Sequence, residues 1–373
     1  MRNKLDLTDV EILEGLAKYG PRNLAKVAKK LGIPRGTMLS RIKHMSSSFY
    51  LRLLTTAYHA NLGMKRAVVF AEARLGQENL LFNCIKLNPF CIYISRCYGM
   101  FEGCIAIYVV PKEQTKKFED FLLEVRELGL AKNMKTFWST CLSTVNLTKT
   151  WFDRLSETWI FPWDKWLEEI HSSESELPRR LKDSERFILK ADETDLFILK
   201  ELEKNATISL TAIAKKLGTT LQNVRYHFEN HVVKHELIEA FQIAILPFER
   251  AISDLVFFVF RFDSEDKVGK FARSLLDKPF VNMVGKVLGK NALITQIYLP
   301  RLDFRNFVDA LSKLVREGFL QSYKYVLQDL RPGNWSRTTI PYESFKHGLW
   351  MYNHRRHIKD LHDLFNKHAK GID

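Results

Sequence analysis

At 373 residues the chain is too long for one small domain and long enough for roughly two to four compact units with proper cores. A hydrophobic fraction of 46% and an aromatic content of 12% exclude a disordered chain, while 57 Lys and Arg against 43 Asp and Glu, net +14 with a sequence pI of about 9.4, favour a polyanionic partner. The opening MRNKLDLTDV lacks the apolar core of a signal peptide and no apolar run is long enough to span a bilayer, so a soluble, cytoplasmic protein without a membrane partner is expected.

The charge is unevenly placed. Residues 1–60 carry eleven Lys and Arg against four Asp and Glu, net +7, whereas residues 184–245 carry eight against nine. Residues 331–373 add +4. The basic character therefore belongs to the N-terminal unit and the C-terminal tail. Cys84, Cys91, Cys97, Cys104 and Cys141 all lie in the first half and no pair has CxxC spacing, which predicts buried thiols in a reducing compartment and no zinc.

Residues 6–18, DLTDVEILEGLAK, predict a helix with Val10, Ile12, Leu13 and Leu16 inward and Asp6 or Thr8 as N-cap. LAKVAKKLGIPRGTMLSRIK, residues 24–43, predicts two short helices around a turn at Gly32, with Leu24, Val27, Ala28, Leu31, Met38 and Ile42 facing in. Arg35, Thr37, Ser40, Arg41, Lys43 and His44 then face out. In a helix-turn-helix the second helix enters the major groove, where Arg pairs with guanine and Ser or Thr serves several base edges. SSSFYLRLLTTAY predicts a polar turn followed by a wing or exit strand.

From Lys65 the pattern changes to βαββαβ, with a hairpin at Gly99–Gly103, which predicts a ferredoxin-like unit of two helices on a four-stranded antiparallel sheet. Residues 150–183 form a connector holding Trp151, Trp159, Trp163 and Trp166, expected to pack on a neighbouring domain. The whole pattern then returns. Residues 6–32 and 192–218 align without a gap and share thirteen of twenty-seven positions, including AKKLG at 28–32 and 214–218. Asn88-Pro89-Phe90 corresponds to Lys278-Pro279-Phe280, Gly99 to Gly289, and FEDFLLEVRELG at 118–129 to FVDALSKLVREG at 307–318. Even Ile160–Trp163 is echoed at Ile340–Tyr342. The chain is an internal duplication.

A winged helix-turn-helix followed by βαββαβ resembles the Lrp/AsnC transcription regulators. LTDVEIL and ETDLFIL look like that family's opening helix, LAKVAKKLGIPRGTMLSRIK like its helix-turn-helix with Thr37 and Arg41 in the typical places, and CYGMFEGCIAIYVVPKEQTKKFEDFL like the hairpin and second helix of its effector-sensing domain. The likeness covers about 1–140 and 190–330.

The resemblance implies an α+β protein made of a duplicated winged helix-turn-helix and ferredoxin-like domain. Its expected units are a winged helix-turn-helix at 1–60, a ferredoxin-like sensing or pairing domain at 61–149, the connector at 150–183, a second winged helix-turn-helix at 184–245, a second ferredoxin-like domain at 246–330 and a basic tail helix at 331–373. It implies a sequence-specific, nucleoid-associated regulator that binds double-stranded DNA, and the +7 charge of residues 1–60 with the Arg35, Arg41 and Lys43 face predicts that the N-terminal unit dominates the affinity. The paired sensing domains would form a pseudo-dimer within one chain, with room for higher homo-oligomers. A small effector such as an amino acid would sit near the hairpins, at Gly99, Phe101 and Glu102 and at Gly289 and Asn291. In the second copy Leu221, Tyr226, His227 and Glu229 replace Arg35, Ser40, Arg41 and Lys43. That unit either binds DNA weakly, reads other bases through Gln222, Asn223, Arg225 and Tyr226, or serves as structure.

Siroheme decarboxylases are similar in architecture, and they are the enzyme alternative. The hairpins at 97–103 and 287–291 hold no His, Trp or paired acids, so the sequence predicts no enzyme, no catalytic residues and no cofactor. A scaffold with vestigial helix-turn-helix units is the third alternative. The tail histidines His347, His354, His357, His362 and His368 do not complete a ligand set, so no metal is expected either.

Overall fold

The computed structural model describes residues 4–140, 143–144, 147–183 and 186–370. The first half begins with helix α1 (Leu7–Tyr19), whose start is fixed by a capping box: Asp9 N–H donates to the Asp6 carboxylate at 2.9 Å and Asp6 N–H to that of Asp9 at 3.2 Å. Asn23 caps α2 (Leu24–Leu31), and Gly32, left-handed at φ 66°, ends it and turns the chain into α3 (Arg35–Ser48). Val10, Leu13, Leu16, Val27, Met38 and Met45 close a core among the three helices.

One expectation changes here: Ser46–Ser48 continue α3 instead of forming a polar turn. Of the wing or exit strand expected next, strand β1 (Arg52–Ala57) is the exit strand. β1 pairs antiparallel with a strand of the second half, because its backbone is offered to a partner at the same point of the duplicated pattern.

Then follow β2 (Met64–Ala73), α4 (Glu78–Lys86), β3 (Cys91–Gly99), β4 (Gly103–Pro111), α5 (Thr115–Glu127) and β5 (Ala131–Ser139). The connector contributes α6 (Trp163–Ser172). The second half repeats the first as α7 (Glu193–Lys204), α8 (Leu210–Leu217), α9 (Leu221–His227), β6 (Ile238–Ala244), β7 (Ser253–Arg261), α10 (Glu265–Leu275), β8 (Val281–Lys286), β9 (Ala292–Pro300), α11 (Arg301–Arg316) and β10 (Ser322–Gln328). The tail ends in α12 (His354–Ala369). β1 and β6 are the pair that ties the two helix-turn-helix units together, in register from Arg52↔Ala244 to Ala57↔Ile238.

The two ferredoxin-like sheets join edge to edge in the order β5-β2-β4-β3-β10-β7-β9-β8. β3 meets β10 through Gly99↔Val326, Tyr98↔Leu327 and Cys97↔Gln328. The equivalent edges meet on the far side, where Ser139 pairs with Val287 and Leu288 N–H donates to Trp138 C=O at 2.8 Å. The sheet thus closes on itself around a pseudo-two-fold axis. Its inner face buries Val68, Phe70, Ile105, Phe257, Ile294 and Val326 from both halves, which explains why β4 and β9 are apolar along nearly their whole length rather than alternating.

Helices cover the outer faces, and the arms cross over to do so. α6 follows the first half but packs on α10 and α11 of the second, with Trp166 fully buried against Phe271, Phe280 and Phe307 and its indole N–H on Ser274 C=O at 3.3 Å. Trp151 stacks on Phe280. α12 follows the second half and covers α4 and α5 of the first, through Leu361, Ile358, Leu364 and Phe365, with the Tyr352 hydroxyl accepting from Asn88 at 2.9 Å. The IFPW and IPY echoes mark these exchanged arms. Cys84, Cys91, Cys97 and Cys104 are buried free thiols, pushed up by burial, while Cys141 lies outside the described residues.

Candidate nucleic-acid face and seam cavity

α3 presents Arg35, Thr37, Ser40 and Lys43 to solvent, while Met38 and Met45 hold its other side in the core. Arg41 does not join that face. Its guanidinium turns back onto the capping box of α1, reaching Asp6 at 2.7 and 2.8 Å and Asp9 at 2.9 Å. The bond to Asp6 is the main reason its pKa rises above the usual arginine value. The expectation that Arg41 reads a base is therefore corrected, because its guanidinium is held between the Asp6 and Asp9 carboxylates. His44 is half-buried, edge-on to Phe49 at 5.9 Å, and also lies off the exposed face.

In the second unit Gln222, Asn223, Arg225 and Tyr226 are exposed on α9, after Thr220, whose hydroxyl caps the helix by accepting from Asn223 N–H. His227 occupies the position of Arg41 and takes its place beside Asp195, at 2.9 Å.

The residues expected around an effector are not brought to one cavity. Gly99 lies inside the β3–β10 seam, and Phe101 packs edge-on against Phe70, turned toward the sheet interior. Glu102 is exposed, and its backbone carbonyl holds Ala73 N–H at 2.8 Å. Gly289 N–H donates to Asp183 at 3.0 Å, and the exposed Asn291 amide donates to Asp263 C=O at 3.4 Å. These positions serve turn geometry and the pairing of the halves.

A cavity does open at the other seam, beside β5 and the second hairpin. His59, Arg66, Ser139, Arg180, Lys182 and Leu288 line it. Arg66 is 4% exposed and His59 6%, and the two are joined at 2.8 Å from Nη2 to Nδ1. Arg66 also faces Glu239 at 3.7 Å. Burial, then the charge of Arg66, hold the His59 imidazole well below its ordinary pKa. It is therefore neutral, with Nδ1 accepting from Arg66 and the proton on Nε2.

His59 Nε2, Arg66 Nε and Nη1 and Ser139 Oγ have no protein hydrogen-bond partner. Buried donors without partners, next to the cations Arg180 and Lys182, suit an anionic group. Nearby, burial raises the Glu203 carboxyl to about 7. The cavity volume is about 30 Å³, enough for one carboxylate-sized group or a water or two and far below a macrocycle. Its residues come from separate stretches of the chain, and no local motif announced them.

Residues 192–230 match the model of the winged helix-turn-helix DNA-binding family, on the second unit rather than the more basic first. No curated protein matches the sequence. Among solved structures, the siroheme decarboxylase NirDL matches with a TM-score of 0.54 at 12% identity, covering 96% of this chain and 99% of that one. The same enzyme in co-complex with an iron-uroporphyrin III analogue matches at 0.53 and 12%, covering 95% and 98%. AsnC of E. coli matches at 18% identity with a TM-score of only 0.30, covering 40% of this chain and 99% of its own.

The chain thus has winged helix-turn-helix and ferredoxin-type units in a tandem arrangement shared end to end with that decarboxylase. This overturns the expectation of a non-enzyme. The full-length likeness is to an enzyme; the hairpins without His, Trp or paired acids are one part of the sheets, and His59 and Arg66 lie at the seam. Among the described residues no helix is long and apolar enough to cross a membrane.

Proposed function

We propose that the protein is a sequence-specific DNA-binding regulator that holds DNA mainly through α3 and responds to a carboxylate-bearing small molecule at the seam cavity. The observation that carries this reading is the exposed row Arg35, Thr37, Ser40 and Lys43 on a helix whose opposite side is locked into a helix-turn-helix core. Phosphate contacts by lysine give salt-dependent affinity, and base contacts by arginine give sequence preference.

Fluorescence anisotropy on genomic fragments across a salt series tests it. Lys43→Ala is expected to weaken binding to all sequences alike and to flatten the salt slope by about one unit, while Arg35→Ala costs about 1 to 3 kcal/mol on preferred sites only. Wild-type protein that binds no fragment, or binds without salt dependence, removes the reading.

A second reading is favoured by the His59–Arg66 pair together with the full-length fold likeness: an enzyme acting on a carboxylated tetrapyrrole. Arg66 would clamp one carboxylate arm and the His59 Nε2–H would donate a hydrogen bond to it; as the bond to carbon dioxide breaks, its electron pair stays on the carbon, which takes a proton from solvent. The cavity takes only an arm in its present volume, so the ring would lie outside it. Titration with an iron porphyrin bearing carboxylate arms is expected to shift the Soret band in the wild type and to fail in Arg66→Met. A shift that survives that change places the ligand elsewhere.

A further inference from the structure

The capping box of the second helix-turn-helix differs from that of the first in one respect. In the first unit the carboxylates of Asp6 and Asp9 share the permanent cation Arg41, with the apolar Met45 one turn further on. In the second unit Asp192 and Asp195 keep the same reciprocal capping bonds, but the equivalents of Arg41 and Met45 are His227 and His231.

Both imidazoles turn their Nδ1 atoms onto the acids. His227 Nδ1 lies 2.9 Å from Asp195 Oδ1 and 3.5 Å from Asp192 Oδ2, and His231 Nδ1 lies 3.1 Å from Asp195 Oδ2 and 3.7 Å from Asp192 Oδ2. The four ligand atoms all fall within 4.8 Å of one another. The Asp195 side chain is 1% exposed, so its charge needs a cation close by. A metal ion held by all four groups would supply it.

We infer that Asp192, Asp195, His227 and His231 form a binding site for a divalent transition-metal ion of the zinc class. Neutral imidazole nitrogen and carboxylate oxygen are ligands such ions accept at about 2.0 to 2.2 Å, which in a tetrahedron puts neighbouring ligand atoms roughly 3.3 Å apart. The nitrogen–oxygen separations of 2.9 to 3.7 Å bracket that edge. The capping N–H groups of Asp192 and Asp195 hold the carboxylates in place from behind, as outer hydrogen bonds do in metal sites.

The backbone is shaped to match. Phe228–Val233 winds as a π-helix directly after α9, and this wider turn lets His227 and His231 both face the start of α7. A metal bound here would fasten α9, with its exposed Gln222, Asn223, Arg225 and Tyr226, to α7. Metal would replace in the second unit what arginine does in the first. The tail histidines are not part of this cluster.

The test uses the full chain stripped of metal by chelator, titrated with Co²⁺ followed by visible absorption and with Zn²⁺ followed by calorimetry. The wild type is expected to bind one equivalent more than the variant H227R with H231M, and to show tetrahedral Co²⁺ bands that this variant lacks. The variant rebuilds the Arg41 and Met45 arrangement of the first unit, so its circular dichroism and thermal transition should match the wild type. His231→Ala alone should weaken the same step at least tenfold. Wild-type protein that stays folded yet takes up no Co²⁺ or Zn²⁺ at this step overturns the inference. Equal uptake by the folded double variant overturns it as well.

Discussion

Replacing Phe257 with alanine is expected to cost about 3 to 5 kcal/mol and to loosen the two halves from one another. Phe257 is fully buried on β7, where its ring meets Phe70 of β2 edge to face at 5.9 Å. Phe70 in turn holds Phe101 and Phe137, so one truncation opens a cavity at the point where the first half's aromatic cluster meets the second's sheet. Backbone pairing joins β3 to β10 over three residue pairs and to Trp335–Arg337 over three more, and the Phe257 ring fills the interior between these paired edges. Urea unfolding measures the cost, and amide exchange on β2 and β7 locates it. A loss below about 1 kcal/mol, with exchange unchanged at those strands, would mean that the halves are held by their crossed arms and not by the shared interior.

Much of this architecture was legible in the chain because duplication makes local signals repeat. The capping residues Asp6 and Asp192, the turn glycines Gly32 and Gly218 and the apolar β4 and β9 each act over a few residues, and such signals survive reading in one dimension. The crossing of the arms was not legible. Trp166 carries no mark of whether it packs on the half before it or the half after it.

The seam cavity was hidden for the same reason. Arg66, Ser139 and Arg180 are separated by long stretches and converge only when the sheet closes. The His227–His231 pair was legible in principle, since a spacing of four puts two histidines on one helix face and Asp192 and Asp195 have already been drawn together by their capping box. What the sequence does not show is that the start of α7 and the end of α9 meet, which only the packed helices supply.

Arg41 shows how a residue in the right place by resemblance can be doing different work. Arg41→Ala is expected to destabilise the N-terminal helix-turn-helix by about 2 to 3 kcal/mol while leaving the salt slope of DNA binding unchanged at temperatures where the unit stays folded. Asp6 and Asp9 side chains are 10% and 3% exposed, and removing the guanidinium leaves two like charges facing each other with little water to shield them. Arg41 itself is a quarter exposed, so solvent screening keeps the cost below that of a fully buried pair.

A double-mutant cycle separates this role from base reading. Arg41→Ala and Asp9→Asn should couple by about 2 kcal/mol in urea unfolding, because each removes the same ion pair. Neither should alter the ratio of affinities for preferred and random DNA. A guanidinium that contacted a base would give the reverse pattern, with small coupling to Asp9 and a preference that collapses in Arg41→Ala. Lys43 supplies the internal control: it is exposed on the same helix, and its loss should change the salt slope without moving the unfolding midpoint.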